Sequence, residues 1–320
     1  MSRKEGGEQA TVPPAEFTSY YGRPIIKAPV WGRGIPAYLF TGGLAAGAAL
    51  LAAGADLTGR PALRRAGRAT AFGAIGTSIS LLIHDLGRPD RFHHLLRVAK
   101  PTSPLSMGTW IIAVFSTASG VAAASEVVPW LPRHGPLGLV RTVLPPAGRV
   151  AGFAAAAVAP ALATYTSVLL ADTAVPSWHE AYPYLPRLFA GSALASGAGA
   201  ALIAAPLAES APARRLAVAG AALELAGIRR LERGLDLLSE PYRTGRAGRL
   251  LRAGRVVGAA GMAGAVLGRH SRLVSALSGV ALLAASAATR FGIYAGGIAS
   301  ARDPKYTVVP QRARRPASGE

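Results

Sequence analysis

Cysteine is absent from all 320 residues. Without thiols the chain can form no disulfide, no thiolate metal site and no iron–sulfur cluster of its own. Histidine is scarce, with six in total. Only His84 lies clearly inside an apolar stretch, while His93, His94, His134, His179 and His270 fall in connectors. A membrane cytochrome needs paired histidines at matching depth on facing helices, so this count argues against a haem subunit. Acidic residues are few, 16 against 35 Lys and Arg, giving a formal charge of +19 and a pI near 11.3. The first 34 residues are polar, carry Pro13, Pro14, Pro24 and Pro29, and lack the apolar core of a cleavable signal peptide.

What the chain has in abundance is alanine, glycine, leucine and valine, in long runs cut by arginine-rich connectors. Hydrophobic residues make up 51% and mean hydropathy is +0.32, a modest value because 38 glycines and many alanines dilute it. Small residues of this kind let membrane helices pack closely. A nucleic-acid domain with this pI would spread its basic groups over a water-exposed face. Here they sit between apolar runs, so the lipid bilayer is the expected partner and nucleic acid is not.

About 20 apolar residues cross roughly 30 Å of hydrocarbon. On that ruler spans are predicted at 36–56, 69–87, 106–128, 150–172, 188–208, 213–228, 253–268 and 273–295. The expectation is an all-α polytopic membrane protein, a bundle of about eight transmembrane helices over residues 35–300, with polar tails at 1–34 and 301–320. The sixth and seventh spans are short, and the sixth is expected to run on as an amphipathic turn or two through Arg229–Leu238 by sequence position. The termini and even-numbered connectors carry 24 Lys and Arg, the odd-numbered connectors 11. The positive-inside rule then puts both termini in the cytoplasm of a cell-membrane protein.

The polar residues inside the spans carry the functional argument, because such groups are costly near lipid and usually kept for a task. The second span ends with Thr77, Ser80 and His84 along one face, with Asp85 beside it. A neutral imidazole and a carboxylate at the membrane boundary can donate to a carbonyl oxygen and move a proton, the two functions a quinone head group requires. Helix termination accounts equally well for Gly87, Arg88 and Pro89, but not for His84 and Asp85. The following connector, from Arg91 to Pro104, reads as an interfacial amphipathic helix. Its adjacent His93 and His94 point to different faces and suit no shared metal.

The fourth span carries Tyr165, with Asp172 one heptad later on the same face and His179 beyond. Tyr165 is a hydrogen-bond donor suited to a low-dielectric site, though helix packing explains it as readily. Asp172 and His179 can extend a proton path to water. Trp178, Tyr182 and Tyr184 read as an interfacial aromatic belt. Glu224 in the sixth span and Arg290 in the eighth are isolated charges that need a partner or a cavity. They can pair with one another, or Arg290 with Asp85 or Asp172, and both an ion pair and a proton relay stay open.

Several strings taken together resemble the NrfD family, the integral membrane subunits of polysulfide-reductase-type complexes. They include Tyr20-Tyr21-Gly22-Arg23-Pro24, Tyr38-Leu39-Phe40-Thr41-Gly42-Gly43, and His84-Asp85-Leu86-Gly87-Arg88-Pro89-Asp90-Arg91-Phe92. Further matches are Lys100-Pro101-Thr102-Ser103-Pro104-Leu105-Ser106-Met107-Gly108-Thr109-Trp110, Tyr165-Thr166-Ser167 and Asp303-Pro304-Lys305-Tyr306. The resemblance implies a haem-free bundle that exchanges electrons between quinone, menaquinone first, and a ferredoxin-like iron–sulfur subunit. That subunit in turn serves a molybdopterin oxidoreductase. It also implies a quinone pocket using Tyr165, with His84 and Asp85 near the cluster subunit. Some members place a histidine on the first span. This chain has none between 36 and 56, so Tyr38 or Thr41 would substitute. Two other readings remain: a proton-translocating or transporter-like module run by Glu224 and Arg290, and a purely structural anchor.

Overall fold

The computed structural model describes residues 23–32, 34–130, 132 and 136–314. His134, Tyr20, Tyr21 and the two chain ends lie outside the described residues. Among those described there are only helices and turns. Eight are long: α1 (Gly34–Leu57), α2 (Pro61–His84), α3 (Pro104–Ser125), α4 (Pro136–Ala171), α6 (Leu185–Ala204), α7 (Ala211–Gly234), α9 (Gly245–Leu267) and α10 (Arg272–Arg302). Short helices α5 (Pro176–His179), α8 (Glu240–Arg243) and α11 (Lys305–Arg314) join or follow them. Seven of the long helices are apolar enough to cross a membrane. The eighth, α7, matches α1 in length but its Arg214, Arg215, Arg229, Arg230 and Arg233 lower its hydropathy.

Local sequence sets the boundaries. Proline stands in the first turn of α2, α3, α5 and α6, where its missing N–H costs nothing. The hydroxyls of Ser103 and Ser271 cap α3 and α10 by accepting from the backbone N–H of Ser106 and Val274, both at 3.4 Å. The α1–α2 turn passes through Gly59 at φ +64°, a conformation that disfavours side chains. α4 starts at Pro136, well before the expected residue 150, and continues through Pro145 and Pro146. In a bilayer a helix is the cheapest way to satisfy the backbone, so tandem proline is tolerated where an aqueous rule would predict a break. α7 likewise continues to Gly234, and α9 and α10 outrun their predicted spans. The connector after α2 forms a short 3-10 helix, Pro89–Leu96. The C-terminal segment, expected as a polar tail, forms α11, with Tyr306 buried.

α1 and α6 occupy the middle of the bundle, and their small residues are the reason. A methyl at Gly47 would overlap the Ala193 carbonyl, and one at Gly197 would overlap the backbone of Gly47. With α6 so thin, α7 and α10 close on it too. A methyl at Gly199 would lie 2.7 Å from the Gly279 carbonyl.

At one end of the bundle, charges lock four helices. Arg68 of α2, 6% exposed, pairs with Asp56 of α1 at 3.2 Å and with Glu126 after α3 at 2.9 Å. Arg64 reaches the same two carboxylates, and Arg149 of α4 lies 3.7 Å from Asp56. This network holds the end of the bundle opposite Tyr38 and Tyr165.

Candidate functional site

At the other end, α1 begins, α2 ends, α3 begins and α4 ends. Their termini surround a cavity of about 230 Å³ lined by Tyr38, Asp85, Gly108, Thr109, Tyr165 and Trp31, among others. Three of the expected residues, Tyr38, Asp85 and Tyr165, thus meet in one space from three different helix ends.

Tyr165 is held by contact with α3. Its ring lies so close to Gly108 that any side chain there would overlap it. Its hydroxyl is buried and has no hydrogen-bond partner. Such a group costs about 1–3 kcal/mol of unmet desolvation, so it is a donor waiting for an acceptor. Tyr38, 3% exposed, lines the same cavity. Asp85 caps α2, and its Oδ1 accepts the backbone N–H of Gly32 at 3.1 Å. Gly32 packs so tightly that an added Cβ would sit 2.7 Å from that oxygen. This contact pins the segment before α1 across the cavity. Trp31, on that segment, is fixed from behind. Its carbonyl accepts from the Tyr294 hydroxyl at 2.6 Å, and its ring stacks on Trp178 with centroids 5.8 Å apart.

Trp178 is therefore not an interfacial residue. It is fully buried, donates to the Ile293 carbonyl at 2.9 Å, and also faces the Tyr294 ring. Tyr182, by contrast, is 65% exposed.

The other expected residues lie elsewhere. His84 is exposed and does not line the cavity. The Thr41 hydroxyl donates to the Ala37 carbonyl of its own helix at 3.1 Å and is likewise off the lining. Asp172 is exposed just past α4. The Nδ1 of His179 lies 2.9 Å from the Ala171 carbonyl, at the edge of a separate cavity of about 350 Å³ shared with Glu180, Tyr306 and Gln311.

Glu224 and Arg290 share a different location, a polar cluster inside the bundle. They are 4% and 1% exposed. The Arg290 guanidinium donates to the Phe189 carbonyl at 2.8 Å and lies 3.7 Å over the Phe189 ring. Its Nε reaches Ser192 Oγ at 3.4 Å, and that hydroxyl is 2.5 Å from Ser286 Oγ. The two charges make no ion-pair contact, and Glu224 Oε1 and Arg290 Nη1 are both buried without partners.

Sequence reasoning did not single out Trp31 or Gly108 as site residues. Gly108 had a signal, a glycine at the mouth of a span beside Thr109 and Trp110. Trp31 opens a string, Trp31 to Pro36, that also resembles the family, but it sits in a stretch read as a polar tail. Among the described residues no cluster of His, Asp and Glu could hold a metal ion. A family model described as "Polysulphide reductase, NrfD" matches residues 25–224, which include every residue quoted from the Tyr38–Asp85–Tyr165 cavity. No curated protein matches the chain.

Proposed function

Because the chain is a membrane protein of the NrfD (polysulphide reductase) family, we propose that it is the quinone-handling subunit of an oxidoreductase complex. The observation that carries this reading is the unpartnered Tyr165 hydroxyl, buried beside a 230 Å³ cavity whose rim holds a carboxylate. That volume lies just below the range of about 300–1,000 Å³ usual for small-molecule pockets. It suits one flat ring system better than a larger prosthetic group.

The residues present fit a quinone head group. A bound quinone supplies two-electron, two-proton chemistry. Tyr165 donates a hydrogen bond to a ring oxygen, in a site dry enough to strengthen it. Asp85, half in water, exchanges protons with that edge of the cavity while its bond to Gly32 keeps the lid segment down. His84, one residue earlier and exposed, relays protons between Asp85 and the aqueous phase. Trp31 and Tyr38 confine the ring. Since the chain has no thiols, electrons come from a neighbour, a ferredoxin-like iron–sulfur subunit serving a molybdopterin oxidoreductase. Arg88, Arg91, Arg97 and Lys100, exposed beside the cavity mouth, offer that partner a basic docking surface on the cytoplasmic side of the cell membrane. Menaquinone is the expected carrier.

The test is a titration of the purified protein in nanodiscs with a naphthoquinone head-group analogue, followed by quenching of tryptophan fluorescence, since Trp31 lines the cavity. Saturable quenching that weakens in Tyr165→Phe supports the assignment. Binding indifferent to Tyr165 and Asp85 removes it.

The Glu224–Arg290 cluster favours a second role alongside the first. A buried carboxylate and guanidinium, each with an open hydrogen-bonding position, suit a water-linked proton site in the bundle interior. Proteoliposomes of the whole complex loaded with a pH dye test it. Glu224→Gln should abolish quinone-linked acidification while electron transfer continues.

A further inference from the structure

A second cavity, of about 300 Å³, lies between α2 and α3 under the 3-10 helix Pro89–Leu96. It shares Leu82, Leu86, Thr109 and Ile112 with the lining of the Tyr165 cavity. The two spaces are therefore the inner and outer sides of one gap between the two helices. Their chemistry differs. The inner space holds the unsatisfied Tyr165 hydroxyl and the Asp85 carboxylate. The outer one holds aliphatic and aromatic side chains plus three hydroxyls, and each hydroxyl is already spent on its own helix. Thr109 donates to the Leu105 carbonyl at 3.0 Å, Ser116 to Ala113 at 3.2 Å and Thr117 to Ala113 at 2.9 Å. The outer groove offers a ligand no unmet polar group.

Its roof points to the same conclusion. Nothing in Pro89–Leu96 is buried, and Phe92 and Leu96 are 45% and 40% exposed while lining the groove. Large apolar groups stay exposed on a membrane protein where hydrocarbon covers them.

We infer that the α2–α3 groove receives the prenyl tail of the quinone, and that the carrier enters the Tyr165 cavity sideways from the bilayer through the gap at Leu82, Leu86, Thr109 and Ile112. This rests on the quinone reading of the inner cavity and adds the place of the tail and the route of entry, with binding energy drawn from the tail as well as the head. A molecule with one polar end and an apolar tail matches an inner cavity that holds an unmet hydroxyl, continuous with an outer one whose hydroxyls are all paired. An ordinary acyl chain matches only the outer half.

The experiment uses the full complex in nanodiscs and a naphthoquinone bearing a diazirine on the second unit of its prenyl tail. Labelling on the facing segments of α2, α3 and Pro89–Leu96, competed away by the tailless head-group analogue, supports the inference. Labelling there that the analogue does not compete marks a plain lipid-facing groove and overturns it. Labelling elsewhere, with saturable head-group binding intact, overturns the tail path alone. If neither the analogue nor the tailed quinone binds, both the inner-cavity reading and this one fall together. Ala113→Phe, which fills the groove without touching the inner lining, gives a second measure. It should weaken the tailed quinone about tenfold or more and leave the tailless analogue within about twofold. Equal affinities of wild type and variant for the tailed quinone would count against the groove. Ser116→Leu repeats the test with a smaller insertion if Ala113→Phe melts early.

Discussion

Removing the Tyr165 hydroxyl should change stability and binding in opposite directions. That oxygen is buried with no partner, while the ring packs against Gly108. Tyr165→Phe keeps the ring and deletes only the unsatisfied group. An unpaired buried polar group costs about 1–3 kcal/mol, so the variant should be more stable than wild type by roughly 1 kcal/mol. With quinone present the same hydroxyl donates to a ring oxygen. Its loss then removes about 0.5–1.5 kcal/mol, a dissociation constant raised about twofold to about tenfold. Thermal unfolding in nanodiscs, with and without the head-group analogue, reads both signs in one experiment. The variant should melt higher than wild type without ligand, and show a smaller ligand-induced rise. A variant that melts lower and binds equally well would refute the reasoning, because the hydroxyl would then serve the fold and not a ligand.

Asp85→Asn should fold normally, since its amide oxygen can still accept the Gly32 N–H. It should lower quinone-linked kcat at least tenfold while moving affinity less, measured by steady-state turnover against titration. Gly108→Ala places a methyl in the Tyr165 ring. It should cost about 1–3 kcal/mol and abolish analogue quenching, whereas Gly87→Ala, with open space around it, should change neither. Arg290→Ala leaves the buried Phe189 carbonyl without its guanidinium donor and should destabilise the bundle by about 1–3 kcal/mol by thermal melt. Arg68→Ala should cost about 3–5 kcal/mol, because Asp56 at 8% exposure loses its most buried partner.

How much of this was legible in the sequence depended on what each signal reports. Apolar length found all eight long helices, and it misplaced ends wherever proline or arginine interrupted the pattern. The spans predicted at 150–172 and 213–228 leave out Pro145, Pro146, Arg229 and Arg230, yet all four sit inside helices. The bilayer and neighbouring helices settle the backbone where local propensity would not. Residue chemistry singled out Asp85 and Tyr165, the family resemblance added Tyr38, and the structure gathers all three at one cavity. His84 and Asp85 differ by about 100° around a helix, and no local pattern says which of the two faces inward. At the end of α2 that choice fell to Asp85, because Gly32 needs an acceptor there. Thr41 follows Tyr38 by three residues, but its hydroxyl has a nearer partner in its own turn. The Glu224–Arg290 neighbourhood was anticipated as an ion pair or a relay. The two make no ion-pair contact, and α6 touches both of their helices, with Gly191 against the Glu224 backbone and Ser192 against Arg290.

The distribution of rigidity in the molecule follows the division of labour proposed for it. The end away from the cavity is tied by Asp56, Arg64, Arg68 and Glu126, and the middle by backbone contact along α1 and α6. On the cavity side, the segment before α1, the short α5 and α10 are fixed to one another through the Trp31–Trp178–Tyr294 stack. The gap between α2 and α3 has neither device: its two walls meet through aliphatic side chains under a roof with no buried residue. A helix pair that must part to admit a lipid-soluble carrier needs that combination, fixed far ends and near ends with no hydrogen bond between the groove walls. Tying that near end should therefore hurt entry more than binding. A disulfide between Leu86→Cys and Leu105→Cys, both on the cavity lining, tests this. The oxidised form should slow quinone association while reduction restores it, and equal association rates in both redox states would show that the carrier enters by another route.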